Sequence, residues 1–275
     1  MNLQAHALQW LAEGRQAIVV EVSDHRGSVP RETGTRMLVA ARDVLGTIGG
    51  GHLELQAIEH ARRLLRGEAM RGEQVLSLGP TLGQCCGGTV TLRYRPVADS
   101  AAAAWSMRPR FTLQLYGAGH VGRAIVRLLE GIACRVTWID ERDGEFPSAP
   151  SAAHIERLCV EPVQAEVANA VPGSYYLVLT HSHSLDLAIT EAILRRADFA
   201  YLGLIGSKTK RARFLHRFEE RGIAPDTLAR LTCPIGLPGI EGKEPEVIAV
   251  AVVAQLLQVS ARLTQAAPAQ RTVSS

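Results

Sequence analysis

Cysteine is scarce and scattered in this 275-residue sequence: Cys85, Cys86, Cys134, Cys159 and Cys233. An odd set without regular spacing argues against a disulfide framework and for a reducing compartment. No Cys-x-x-Cys pair occurs, which argues against a structural zinc knuckle. No block of Lys or Arg stands out. The formal charge of +3 comes from cations and anions mixed along the chain, so nucleic acid is not an expected partner. The longest apolar run, Val247 to Ala254, is far short of a bilayer's thickness, so no membrane span is expected. The N-terminal stretch lacks a charged start followed by an apolar core, and a cytoplasmic location is expected.

What the sequence does contain suits two globular domains, with 47% hydrophobic residues over a length sufficient for two cores. Residues 1–97 read as a mixed α/β domain. Helical spacing covers Leu3–Leu11, and a second helix starts near His52 and runs to Arg66. Strand-like runs cover Gln16–Val22, Thr35–Ala40, Gln74–Leu78 and Thr89–Arg95. Residues 98–110, an alanine-rich stretch closed by Pro109, read as a linker. From Phe111 strands alternate with helices. The strands are Phe111–Tyr116, Arg135–Ile139, Tyr175–Leu179, Ala200–Ile205 and Arg230–Cys233. The helices are Val121–Glu130, Leu185–Arg196, Lys208–Arg221 and Glu246–Leu263. That order predicts a Rossmann-type, doubly wound parallel sheet over 111–264, with a disordered tail at 265–275.

Gly117-Ala-Gly119-His-Val-Gly122 matches the dinucleotide fingerprint. A strand precedes it, a helix follows, and Asp140 ends the next strand about 20 residues on. Gly117 permits the tight turn, Gly119 lets a phosphate approach, and Gly122 lets helix pack on strand. Asp140 is then positioned to hold a ribose hydroxyl. The same fold also persists where the ligand has changed, so NAD(P) is one expectation and another anion a second. Two later segments, Thr180–Asp186 with His181 and His183, and Gly203–Lys210 with Ser207, fall at carboxyl ends of neighbouring strands, where such folds bind ligands. The cations of Lys208, Lys210, Arg211 and Arg213 read either as a phosphate partner or as a solvated helix face.

In the first domain, Gly49-Gly50-Gly51 leads into a helix. It reads as an anion cradle or, equally, as a tight turn. Glu54 in the first helical turn is accounted for by the helix dipole. Arg31, in a Gly-Ser-Val-Pro-Arg loop, is a candidate anion clamp. Cys86, in a glycine-rich loop with Cys85, Gly87 and Gly88, is the candidate thiolate: a nucleophile, a sulfur carrier or a soft ligand.

These motifs together resemble the XdhC/CoxI family, the xanthine dehydrogenase accessory proteins. The resemblance covers Gly27–Gly34 with Met37, Thr47–Glu54, Cys86–Gly88, Gly117–Gly122, Thr180-His181, Leu204–Ser207, Pro234–Gly236 and Lys243–Ala249. Many relatives read Thr-Pro-Glu-Glu-Ile-Ala where this chain has Glu-Pro-Glu-Val-Ile-Ala, which leaves the role of Glu246 open. The resemblance implies a chaperone that binds molybdenum cofactor (molybdopterin), supports its sulfuration and delivers it to xanthine dehydrogenase in purine catabolism. It implies a cysteine desulfurase as second partner, and Cys86 as the residue that meets molybdenum through the cofactor. A homodimer is also expected. The alternatives are an NAD(P)-dependent oxidoreductase and a nucleotide-sensing regulatory module.

Overall fold

The structure, a computed structural model, describes residues 3–78, 88–102 and 109–266. The chain divides into two units, Met1–Met107 and Arg108–Ser275.

In the first unit α1 (Leu3–Ala12) precedes β1 (Ala17–Arg26), β2 (Arg36–Ala40), β3 (Val44–Gly46), α2 (Gly51–Leu65), β4 (Glu73–Ser77), β5 (Thr89–Pro96) and α3 (Val97–Ala102). The strands form one antiparallel sheet in the order β3-β2-β1-β5-β4. Strand alternation divides its side chains between two cores. Ile18, Val20, Val22, Met37 and Val39 pack with Leu53, Ala57 and Ala61 of α2. Ala17, Val19 and Leu38 face the other way, onto Ala7 and Trp10 of α1 and Val97. The linker expected at 98–110 is therefore corrected. Its first part is α3, anchored by the buried Val97, and it belongs to the first unit.

The second unit runs β6 (Thr112–Tyr116), α4 (His120–Leu129), β7 (Arg135–Asp140), β8 (Ile155–Cys159), β9 (Tyr175–Val178), α5 (His183–Arg196), β10 (Tyr201–Leu204), α6 (Lys208–Glu220), α7 (Pro225–Ala229), β11 (Leu231–Thr232) and α8 (Pro245–Ala266). Its sheet is wholly parallel, in the order β8-β7-β6-β9-β10-β11. That is the doubly wound order of a Rossmann fold, with the direction of winding reversed between β6 and β9. Both sheet faces are covered, as a parallel sheet requires. One core joins Leu113, Leu115 and Leu177 to α4 and α8. The other joins Tyr116, Tyr176 and Val178 to α5, α6 and α7.

Strand β8 was not foreseen. It is an edge strand of sequence Ile-Glu-Arg-Leu-Cys, mostly outside the core, and carries no apolar run. Helix α8 extends past residue 264, where the tail was expected to begin. By length and composition alone α8 is apolar enough to cross a membrane, which the run Val247–Ala254 did not suggest. Its Ala249, Val252, Val253 and Leu256 are nevertheless built into the core beside α4.

Candidate functional site

Three loops of the first unit leave the same end of its sheet. Arg26, the last residue of β1, pairs with Thr89, the first of β5, and Thr89 also pairs with Ser77 at the end of β4. On the other side Met37, near the start of β2, pairs with Gly46 at the end of β3. Residues 27–35, 47–50 and 78–88 therefore all start from one edge.

Close glycine contacts draw these loops together. A Cβ at Gly49 would lie 2.6 Å from Pro30 Cβ and 3.7 Å from Arg31 Cγ. A Cβ at Gly88 would lie 2.4 Å from the Ser28 carbonyl oxygen. The Gly88 carbonyl accepts the Leu78 N–H at 2.7 Å, closing the base of the third loop. Cys85, Cys86 and Gly87 lie outside the described residues. Arg31 is exposed in the first loop.

The glycine triplet departs from an open cradle. Glu54 Oε2 accepts the N–H of Ile48 at 3.0 Å, the N–H of Gly50 at 3.1 Å and the Thr47 hydroxyl at 2.5 Å. Thr47 Oγ1 in turn accepts the Gly49 N–H at 3.1 Å. Donors that sequence reading left for an outside anion are thus taken by the chain's own carboxylate and hydroxyl. Sequence reasoning assigned Glu54 to the helix dipole and missed this bond set. Thr47 and Glu54 flanking the glycines were the available signal, because each carries an acceptor able to reach back to the turn.

In the second unit the fingerprint glycines separate into two kinds. A Cβ at Gly117 would sit 2.3 Å from the Leu179 carbonyl oxygen, and one at Gly122 would sit 2.1 Å from that of Gly117. Gly119, at the N-cap of α4, has open space where its Cβ would be. Asp140 is buried. Its Oδ2 accepts the Ala118 N–H at 2.7 Å and Arg142 Nη2 at 3.0 Å, and its Oδ1 accepts Arg142 N and Nε, each at 3.0 Å. Burial pushes the Asp140 carboxyl up, but Arg142 and the two N–H donors outweigh it and hold the group below the usual aspartate value.

His181 is exposed, with Nε2 3.6 Å from Glu141 Oε1. Glu141 follows β7 and His181 follows β9, the two strands flanking β6. Their pair spans the exit of β6, where the Gly117–Gly119 turn lies. Among the described residues, no three His, Cys, Asp or Glu side chains gather as a metal set. Ser207 caps α6, its hydroxyl accepting the Lys210 N–H at 3.1 Å.

Lys210 does not join a solvated basic face. Its Nζ lies 2.5 Å from Asp186 Oδ2 and donates to the Ile205 carbonyl at 2.9 Å. Asp186 Oδ1 also accepts the Thr180 N–H and hydroxyl at 3.0 and 2.8 Å. The pair ties the carboxyl ends of β9 and β10 together. Lys208, Arg211 and His216 instead line an open groove of about 500 Å³ with Leu215, Cys233 and Pro234. Burial raises the Cys233 thiol pKa, with Lys210 and Arg211 opposing it.

The model of the XdhC Rossmann domain matches residues 113–256, more than half of the chain, and that of the XdhC and CoxI family matches residues 10–78. The chain belongs to the XdhC and CoxI family. A relative, the uncharacterized protein YqeB of Escherichia coli (strain K12), is 30% identical over 270 residues, covering 94% of this chain. The chain spans 46% of that relative, about half its length. A crystal structure of a xanthine dehydrogenase from Bacillus halodurans aligns with a TM-score of 0.75 at 18% identity, over 99% of this chain and 98% of that one. That likeness concerns the fold.

Proposed function

We propose that this protein is an accessory factor that binds molybdenum cofactor, supports its sulfuration and passes it to xanthine dehydrogenase. Family membership supports the accessory role. The observation that carries the finer reading is that the Gly27–Gly34 loop, the Thr47–Gly51 loop and the paired residues Leu78 and Gly88 lie at one end of the sheet. Molybdenum cofactor supplies a dithiolene-bound metal on a phosphorylated pterin, so its site needs a cation, backbone donors and soft sulfur. Arg31 offers the first beside Gly49, and Cys86, outside the described residues, is proposed as the last from its place in the sequence between Leu78 and Gly88. Gly49 serves here to let the first two loops approach, and Gly50 and Gly51 supply the positive-φ backbone of the turn, because Glu54 takes donors of that turn. In the second unit, open space at Gly119 leaves the start of α4 approachable by an anion, with His181 and Ser207 on neighbouring strand ends. A cysteine desulfurase is the proposed sulfur donor and a homodimer the proposed assembly.

The test is to mix the protein with released cofactor and separate it by gel filtration. Co-elution of molybdenum and pterin fluorescence is expected, and co-elution of neither defeats the reading. Cys86→Ser keeps the side-chain size but replaces a soft nucleophile with a hard oxygen. It is expected to fold, by circular dichroism, yet to lose cofactor binding or activation of apo-xanthine dehydrogenase. Cys85→Ser is expected to have the smaller effect. Full activation by folded Cys86→Ser would make that cysteine structural.

A further inference from the structure

We infer that Arg142 is a specificity-determining residue that closes the ribose seat of the Rossmann crevice, so that this unit rejects adenine dinucleotides although it carries their glycine fingerprint. A dinucleotide fold holds its adenosine ribose by donating sugar hydroxyls to the acidic residue at the end of the second strand. Here that residue is Asp140, at the end of β7. An ionised carboxylate offers about four lone-pair sites. Ala118 N, Arg142 N, Arg142 Nε and Arg142 Nη2 occupy them, at 2.7 to 3.0 Å. The Nε and Nη2 contacts reach different oxygens and form a charge-assisted fork, which a neutral hydroxyl does not displace.

Arg142 is itself held from behind. Its Nη1 donates to Glu145 Oε1 at 3.3 Å, and Glu145 Oε2 accepts Arg123 Nη2 at 3.2 Å. The next residue, Phe146, packs edge-on against Trp138 with ring centroids 5.1 Å apart, which fixes the turn carrying Glu145. The guanidinium's Nε, Nη1 and Nη2 therefore all face carboxylates. That also removes it as a partner for a ribose 2′-phosphate, which would meet Asp140 and Glu145 around the same guanidinium.

The experiment titrates the full chain with NADH and NADPH and follows nicotinamide fluorescence. The unaltered protein is expected to show no saturable binding of either up to about 1 mM. Arg142→Ala releases the carboxylate, and NADH affinity is expected to rise at least about tenfold, the scale of one hydrogen bond to a charged group. The double change Asp140→Asn with Arg142→Ala is expected to lose that gain. If Arg142→Ala does not melt cooperatively, Glu145→Gln, which frees Arg142 on one side only, takes its place with a smaller gain expected. A Kd below about 1 mM for either nucleotide in the unaltered protein overturns the inference. So does a folded Arg142 or Glu145 variant with no gain, or a gain that survives Asp140→Asn.

Discussion

Gly119 and Gly122 stand three positions apart in one motif, yet their substitution should have opposite characters. At Gly122 a side chain meets the Gly117 carbonyl oxygen at 2.1 Å, and backbone cannot yield cheaply. Gly122→Val is expected to cost several kcal/mol, on the order of an overpacked core site or more. Gly119→Val enters open space and is expected to cost about 1 kcal/mol or less, the poorer fit of a branched apolar residue at an N-cap. Urea midpoints of the two variants check the order, and an equal loss at both sites contradicts it.

At Glu54, replacement by Ala leaves the Ile48 and Gly50 N–H groups and the Thr47 hydroxyl without their acceptor. A loss of about 2–4 kcal/mol is expected in denaturant unfolding, with Glu54→Gln milder because an amide oxygen still accepts. Asp140 makes the acid limb informative. Its folded pKa lies below its unfolded value, so its contribution is complete above the ordinary aspartate range and is lost as pH falls through the folded value. Asp140→Asn should therefore flatten the fall in melting temperature below about pH 4. An unchanged acid limb would count against the Arg142 bond set as a source of stability.

Between elements, the buried Asp186–Lys210 pair joins the start of α5 to the first turn of α6. Lys210→Met leaves a buried carboxylate unpaired and is expected to cost about 3–5 kcal/mol, while adding Asp186→Asn should recover part of that loss. A double-mutant cycle showing strict additivity would mean the two side chains do not communicate. This pair also shows where sequence reading stops. The alternation of strands and helices from Phe111, the fingerprint glycines and the helix over 208–221 were all legible, because periodicity and glycine spacing are local signals. Lys210 was grouped with Lys208, Arg211 and Arg213 because charge alone gives no direction. Only the fold shows that Lys210 points inward past Gly206, where a Cβ would lie 2.5 Å from Lys210 Cδ. Edge strand β8 and three-residue β3 were missed for a related reason: neither buries enough apolar surface to leave a pattern. At the candidate site, the loops were legible as motifs, but their meeting at one sheet edge depends on strand order and register.

At the scale of the whole molecule, each unit draws its buried clusters from its own stretch of chain. The first uses residues 7–97 and the second residues 111–256. Residues 108–275 expressed alone are therefore expected to give a cooperative thermal transition. A fragment that remains unfolded would show that the second core depends on the first unit. Within it, Leu256→Ala is expected to cost about 2–5 kcal/mol, as α8 is a core element on its buried face.

The carboxylate lodged in the Thr47–Gly50 turn makes the occupant of that turn a tethered one. A tethered group competes at an effective molarity, and for short connections this reaches the millimolar range or above. Glu54 is only seven residues from Thr47, so phosphate or sulfate in a buffer meets a competitor that dilution never weakens. The turn then carries its own counter-ion, and its shape is decoupled from the ionic composition of its surroundings. The amide resonances of Ile48 and Gly50 should hold their positions as inorganic phosphate is raised, and should begin to respond once Glu54 is replaced by Ala.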